Sequence, residues 1–294
     1  MKILILGAAA GGGVPQWNCG CRNCGDARAG RISSLTQSSI AVSADGSSWA
    51  VLNASPDIRA QLAAAPALAP KGLRGTPIEA VVLTNGDVDH VAGVLTLREK
   101  TPFALYGTAE ILGALDENPI FRVADPTLVD RRRLEIGETI EAAGLRIETF
   151  AVPGKVPLYL EEGEVKTDLV GETTIGLSAT AGAGTLAYVP GCAAIPDDLL
   201  ARLGAADVVL FDGTVWENEE MPRLGAGEKT GARMGHMAMS GEAGSMARLA
   251  DVAGRRIYIH INNTNPVLQP ESPERRAVEA AGWEIAMDGM EITL

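Results

Sequence analysis

Residues 77–90 read Pro77-Ile78-Glu79-Ala80-Val81-Val82-Leu83-Thr84-Asn85-Gly86-Asp87-Val88-Asp89-His90, and a helix-like segment continues to residue 100. The apolar run Ala80 to Leu83 has the length and composition of a buried strand, and the polar turn after it ends that strand. The turn packs Asp87, Asp89 and His90 together in a chain with only three histidines. Side chains at a strand end project from a fixed backbone into a shared crevice, which a metal or catalytic site requires. On spacing alone a second reading stays open, a solvated turn in which Asp87 or Asp89 caps the next helix.

Other strand ends carry matching chemistry. Asp212 follows the run Val208-Val209-Leu210-Phe211, and His260 sits in Tyr258-Ile259-His260-Ile261-Asn262-Asn263. Two neutral imidazoles with carboxylates suit Zn(II) or Fe(II) and can leave coordination positions open. Asp212 reads either as a ligand or as a support for one. The third histidine, His236 in Met234-Gly235-His236-Met237, is a candidate ligand, a proton donor or an exposed side chain. Lys155, Lys229 and Arg233 could pair with substrate carboxylates, and no spacing selects among them.

Three of the four cysteines fall in Cys19-Gly20-Cys21-Arg22-Asn23-Cys24. Bridges between such close neighbours would be strained, so the spacing predicts a zinc loop at about residues 17–25 rather than disulfides. Three thiolates are one short of a closed tetrahedral zinc site. Cys192 reads as a buried apolar residue.

The rest of the chain alternates strands with helices. The start, Ile3-Leu4-Ile5-Leu6, reads as a first buried strand rather than a signal peptide; the glycines after it lack dinucleotide-binding spacing and are followed by cysteines rather than a helix. They fit a backbone passing close to a site. A hairpin is expected over 38–44 and 49–53 around Asp45-Gly46, then a helix from Ser55-Pro56-Asp57. Further strands are expected at 103–106, 145–152, 173–179, 185–189, 208–211 and 256–261, with a final strand pair at 283–285 and 290–294. Helices are expected at 108–115, 196–203, 240–252 and from Ser272; residues 216–239 look like an ordered loop near a site, and Arg131-Arg132-Arg133 like a solvated turn. No linker divides the halves, so the layer rules predict one α/β domain over residues 1–294, an αββα sandwich of two packed mixed sheets, with a doubly wound parallel sheet as the alternative.

Asn-x-Asp-x-Asp-His after a buried strand resembles the H-x-H-x-D-H signature of metallo-β-lactamase-fold hydrolases, with Asn85 and Asp87 at the two leading histidine positions. Together with Trp17-Asn18-Cys19-Gly20-Cys21-Arg22-Asn23-Cys24, Ser55-Pro56-Asp57-Ile58-Arg59-Ala60-Gln61 and His260-Ile261-Asn262-Asn263-Thr264-Asn265-Pro266, it is similar over essentially its whole length to the PqqB family of pyrroloquinoline quinone (PQQ) biosynthesis. Residues 151–155 carry no histidine and residues 188–192 no aspartate, so one metal site of the hydrolase pair is dismantled. Asp89, His90 and His260 survive, with Asp212 or Asp87 nearby, and two histidines with one carboxylate are the donor set of non-haem iron oxygenases. The resemblance implies an iron-dependent hydroxylase, with zinc as the alternative active-site metal. Its substrate would be the tyrosine ring of a Glu–Tyr cross-linked, peptide-derived precursor. A zinc hydrolase and a non-catalytic carrier moving PQQ or its precursor towards the periplasm are the alternatives. Relatives of this fold with a similar cysteine cluster close the site with a histidine near the H-I-N-N stretch, a position that falls on Asn263 here, with water or His260 as other fourth ligands.

The net charge of −12 argues against a nucleic-acid partner. No apolar run approaches the ~20 residues that span a bilayer. The expected partner is a small-molecule or short-peptide PQQ precursor, a homodimer is possible, and the expected location is the cytoplasm.

Overall fold

The computed structural model describes residues 1–294. The N-terminal apolar run is strand β1 (Lys2–Gly7), buried at every position after Lys2. Helix α1 (Arg22–Arg28) begins inside the cysteine cluster, with Cys21 as its N-cap. Strands β2 (Ser39–Ser43) and β3 (Trp49–Leu52) form the expected antiparallel hairpin. Helix α2 (Ile58–Ala64), strand β4 (Ile78–Val82) and the single turn of helix α3 (Val88–Val91) follow. Next come β5 (Phe103–Gly107) and α4 (Ala109–Glu117), whose N-cap Thr108 accepts from the Ile111 N–H. Strands β6 (Val129–Arg133), β7 (Thr139–Ala142), β8 (Leu145–Ala151), β9 (Ile175–Ala181) and β10 (Gly184–Val189) lead to α5 (Asp197–Gly204) and β11 (Val208–Asp212). Short helices α6 (Glu220–Leu224), α7 (Gly231–Met234) and α8 (Ser245–Arg248) precede β12 (Arg255–Ile259), α9 (Pro273–Ala280), β13 (Trp283–Ile285) and β14 (Glu291–Thr293).

The strands make two seven-stranded sheets, ordered β14-β1-β2-β3-β4-β5-β6 and β13-β12-β11-β10-β9-β8-β7. Each sheet is mixed. In the first, β3 to β6 run parallel while β14, β1, β2 and β3 alternate. In the second, β10 to β13 run parallel and β7 to β10 alternate. One continuous apolar core holds Ile40 and Val81 of the first sheet with Leu177 and Leu210 of the second, as the αββα expectation requires. Strands β4 and β11 are almost continuous apolar runs because parallel strands in this position are covered on both faces.

The carboxyl ends of the parallel strands β4, β11 and β12 meet at one end of the sandwich, where open α/β sheets place their ligands. Backbone links fix this end. Ala9 bridges both Gln37 and Ile261, and the Ile175 N–H donates to the Thr84 carbonyl at 2.8 Å. Behind the turn, Gly93 lies so close to the end of β3 that an added Cβ would sit 2.2 Å from the Ser55 carbonyl oxygen.

Several local expectations are corrected. Arg131, Arg132 and Arg133 lie on edge strand β6, not in a turn; their exposure mimics a loop, while the backbone pairs with β5. The helix expected over 240–252 shrinks to α8, because Gly241 is left-handed (φ 87°) and Gly244 packs against the Ser240 carbonyl. The last two strands do not pair with each other: β13 joins β12 and β14 joins β1. By contrast, no helix opens at the N-terminal glycines, as expected: α1 begins only at Arg22, inside the cysteine cluster.

Candidate metal centre

The turn after β4 orients a histidine with an amide. Asn85 Oδ1 accepts the Asp87 N–H at 3.0 Å, so that atom is the oxygen. His90 Nδ1, 2.7 Å from the same oxygen, must therefore carry its proton. That leaves His90 Nε2 as a bare lone pair, buried and with no hydrogen-bond partner. Burial pushes His90 down to about 4, against the pull of Asp89, so the ring is neutral near pH 7. A buried unpartnered acceptor costs about 1–3 kcal/mol unless something is bound there.

Asp89 Oδ2 lies 3.9 Å from that nitrogen and 3.1 Å from His260 Nε2. Burial opposes ionisation of Asp89, yet His90 and His260 together hold it well below the usual carboxylate range. His260 follows β12 with φ 61°, a strained left-handed backbone that non-glycine residues adopt mainly where surrounding structure enforces it. Here the His260 carbonyl lies 3.0 Å from Thr214 Oγ1, and Ile261 donates to the Ala8 carbonyl. The strain turns the imidazole out of the sheet and towards Asp89.

Asp212, wholly buried at the end of β11, supports this arrangement. Its oxygens accept from the Cys192 N–H at 2.8 Å, the Thr214 N–H at 3.0 Å, the Thr214 hydroxyl at 2.6 Å and His236 Nδ1 at 2.7 Å. With its proton given to Asp212, Thr214 Oγ1 accepts from His260 Nδ1 at 2.7 Å. His260 thus aims Nε2 at Asp89. Burial disfavours charge on His260 more than any single contact favours it, but the hydrogen bond to Asp89 and the charges of Asp89, Asp212 and Asp87 together outweigh burial and raise the ring's pKa. Either a proton or a cation satisfies the facing atoms, and only a cation also satisfies His90 Nε2. Two imidazole nitrogens and one carboxylate oxygen match the requirements of a borderline divalent metal.

Two histidine-bearing groups have donor atoms within 4.8 Å of one another: Asp89, His90 and His260, and Asp212, His236 and His260. The second is spoken for, since Asp212 already accepts four hydrogen bonds and His236 Nδ1 points at it. The His236 ring stacks on His260 at 5.1 Å between centroids. Asp87 falls outside both groups; its carboxylate accepts the Leu158 N–H at 3.3 Å, and burial and Asp89 raise its pKa while Lys155 works the other way. Gly11 passes beside Asp89, with an ideal Cβ 3.5 Å from its carboxylate, as expected for glycines near a site. A cleft of about 280 Å³ opens over these residues and is walled by Lys155 and Lys229.

Cys19, Cys21 and Cys24 converge into a third three-donor group. Asn263 places its side-chain amide against all three sulfurs, at 3.2, 3.7 and 3.4 Å, with its other amide atom buried and unpartnered. Turning that amide would present its oxygen to the sulfurs. Asn23 fastens the loop by donating to the carbonyls of Asn263 and Asn265. His260 faces Asp89 instead. Cys192 is fully buried, and burial pushes its thiol pKa well up.

Two contributors escape a reading of the sequence. Thr214, which joins Asp212, His236 and His260, sits two residues past a strand end in Asp212-Gly213-Thr214, a pattern that signals a side-chain turn. Glu161, which gathers Lys155, Lys229 and Arg233, has no clear local signal, because two of its three partners, Lys229 and Arg233, come from a distant segment.

This sandwich, with its donors at the strand ends, is that of a metallo-β-lactamase-fold protein. Residues 48–261 match the family profile described as a beta-lactamase superfamily domain. The chain is 55% identical over 295 residues, covering all of both proteins, to coenzyme PQQ synthesis protein B of Ruegeria pomeroyi. It is also 55% identical, with a TM-score of 0.98 over 100% of both chains, to the crystal structure of Zn(2+)-bound PqqB from Methylobacterium extorquens. A diphosphatase of the PhnP family, 20% identical with a TM-score of 0.69 over 100% of this chain and 97% of its own, shares the fold. The chain belongs to the coenzyme PQQ synthesis protein B family of the beta-lactamase superfamily, and its donor clusters mark it as a metal-dependent protein.

Proposed function

We propose that the protein is a mononuclear Fe(II) hydroxylase acting on the tyrosine ring of a Glu–Tyr cross-linked precursor in PQQ synthesis. The observation that carries this reading is the use of Asn85. Its oxygen is spent on the Asp87 N–H and His90 Nδ1, so the position that would begin a second metal site instead orients a ligand of the first. Asp89, His90 and His260 would hold the iron, which when bound supplies the means to activate O2. Asn85 and Thr214 fix the tautomers of His90 and His260, so that both Nε2 atoms face the cleft. Asp212 holds His236 through Nδ1, which leaves His236 Nε2 to give or take a proton from a bound phenol.

The hydrolase reading rests on the fold and on the zinc-bound relative. Hydrolysis of this type gains from two ions flanking the reacting centre, and Asn85 is committed elsewhere. The test is anaerobic reconstitution with Fe(II), then O2 uptake with the cross-linked diamino acid. Asp89→Ala and His90→Ala should each lower turnover at least about 10²-fold, in line with lost metal ligation. Unchanged O2 uptake and product in either variant would sink the assignment, and turnover of a generic phosphodiester by two-metal protein would replace it.

A further inference from the structure

Three cations converge on the Glu161 carboxylate, and two of them, Lys155 and Lys229, line the cleft. Arg233 donates to Glu161 through both terminal nitrogens, at 3.1 and 2.9 Å, while Lys155 Nζ lies 3.2 Å and Lys229 Nζ 3.6 Å from its oxygens. The Arg233 hydrogen bonds, more than any other contact, hold Glu161 down at about 2, so it is ionised and the cluster carries a surplus of positive charge. Lys155 and Lys229 line the cleft, facing Asp87 and Asp89. In a chain of net charge −12 this is a local reversal of sign. A cation held by Asp89 would add to it.

A tether between the segment at Glu161 and α7 needs one good ion pair, and the bidentate Arg233 contact supplies it. Two further ammonium groups at the same carboxylate repel one another and Arg233, which a tether alone does not explain. Lys155 is held in place: its side chain is 10% exposed, and left-handed Gly235 leaves room for its stem where a Cβ would sit 3.1 Å from Lys155 Cγ. Lys229 and Arg233, at 41% and 37% side-chain exposure, keep reach into solvent.

We propose that Lys155, Lys229 and Arg233 form the anchoring subsite for the carboxylates of a carboxylate-rich, amino-acid-derived substrate, with Glu161 as the internal carboxylate that keeps the cations gathered and shares them with the ligand. This deepens the reading above, on which the choice of substrate rests. Bound there, the substrate's acidic groups sit at the cleft wall and its remaining portion faces Asp89, His90 and His260.

Calorimetric titration of metal-loaded protein tests the subsite with three probes: the cross-linked diamino acid, its methyl esters and citrate. Lys229→Gln and Arg233→Gln should each weaken the free acid about tenfold, the size of one charge-assisted contact, and leave the esters within about twofold. Glu161→Gln removes the internal competitor and should tighten the free acid several-fold, whereas a tether role would weaken it or leave it unmoved. Equal losses for acid and esters, no loss in either cation variant, or no binding of acid or citrate to the wild-type protein would overturn the subsite. Lys229-dependent binding of citrate without binding of the diamino acid would keep the subsite and remove the PQQ-precursor reading.

Discussion

A histidine at position 85 would offer a ring nitrogen to an ion, whereas the amide there spends its oxygen on the Asp87 N–H and on His90 Nδ1. Asn85→Ala therefore leaves the fold's strands alone but frees the tautomer of His90. Metal affinity at the Asp89, His90 and His260 site should fall about 10–100-fold, the usual cost of losing a ligand's hydrogen-bond partner. Competition with a chromophoric chelator measures this, and an unchanged constant would deny Asn85 its orienting role. At this scale the sequence was informative about the candidate donors that converge and poor about their supports. Asp89, His90 and His260 stand out because histidine is scarce and strand ends are recognisable. Thr214 and Glu161 do not, since their importance lies in contacts across 46 and 72 residues of chain.

Among elements, the buried parallel strands were legible as apolar runs, and the Asp45-Gly46 hairpin as a turn between two of them. Edge strands β6 and β7 were not, because exposed polar side chains hide a backbone that is paired on one side. Partner choice for β13 and β14 is non-local and leaves no pattern in the residues themselves. The long segment after β11 holds a further test. Glu220 of α6 accepts from the Trp216 N–H and the Thr264 hydroxyl, yet burial raises it from its ordinary 4.5 to about 7. A raised carboxyl favours the folded state while protonated, so its contribution is full below about pH 4.5 and erodes as pH climbs through about 7. Glu220→Gln, which mimics the protonated form, should match wild type near pH 4.5 and exceed it at pH 8 by on the order of 1–3 kcal/mol. Urea unfolding at the two pH values reads this directly; parallel pH dependence in both proteins would contradict it.

Over the whole molecule, two mixed sheets bring the ends of β4, β11 and β12 together and leave the cysteine loop as a separate donor group held by Asn23 and Asn263. The sandwich was readable from the order of strands and helices. The separation of the cysteine donors from the histidine donors was readable from motif chemistry, whereas the division of labour around Asp212 required its four hydrogen bonds to be seen together. Under the proposed function, Asn85 and Asp87 at the β4 turn leave one active-site metal, distinct from the ion expected at Cys19, Cys21 and Cys24. Metal analysis of anaerobically purified protein, beside its His260→Ala and Cys24→Ser variants, tests it most directly. The account predicts one iron and one zinc per chain, with iron lost on His260→Ala and zinc lost on Cys24→Ser. Two equivalents of metal lost together with His260, or a cysteine variant that keeps its zinc, would contradict it.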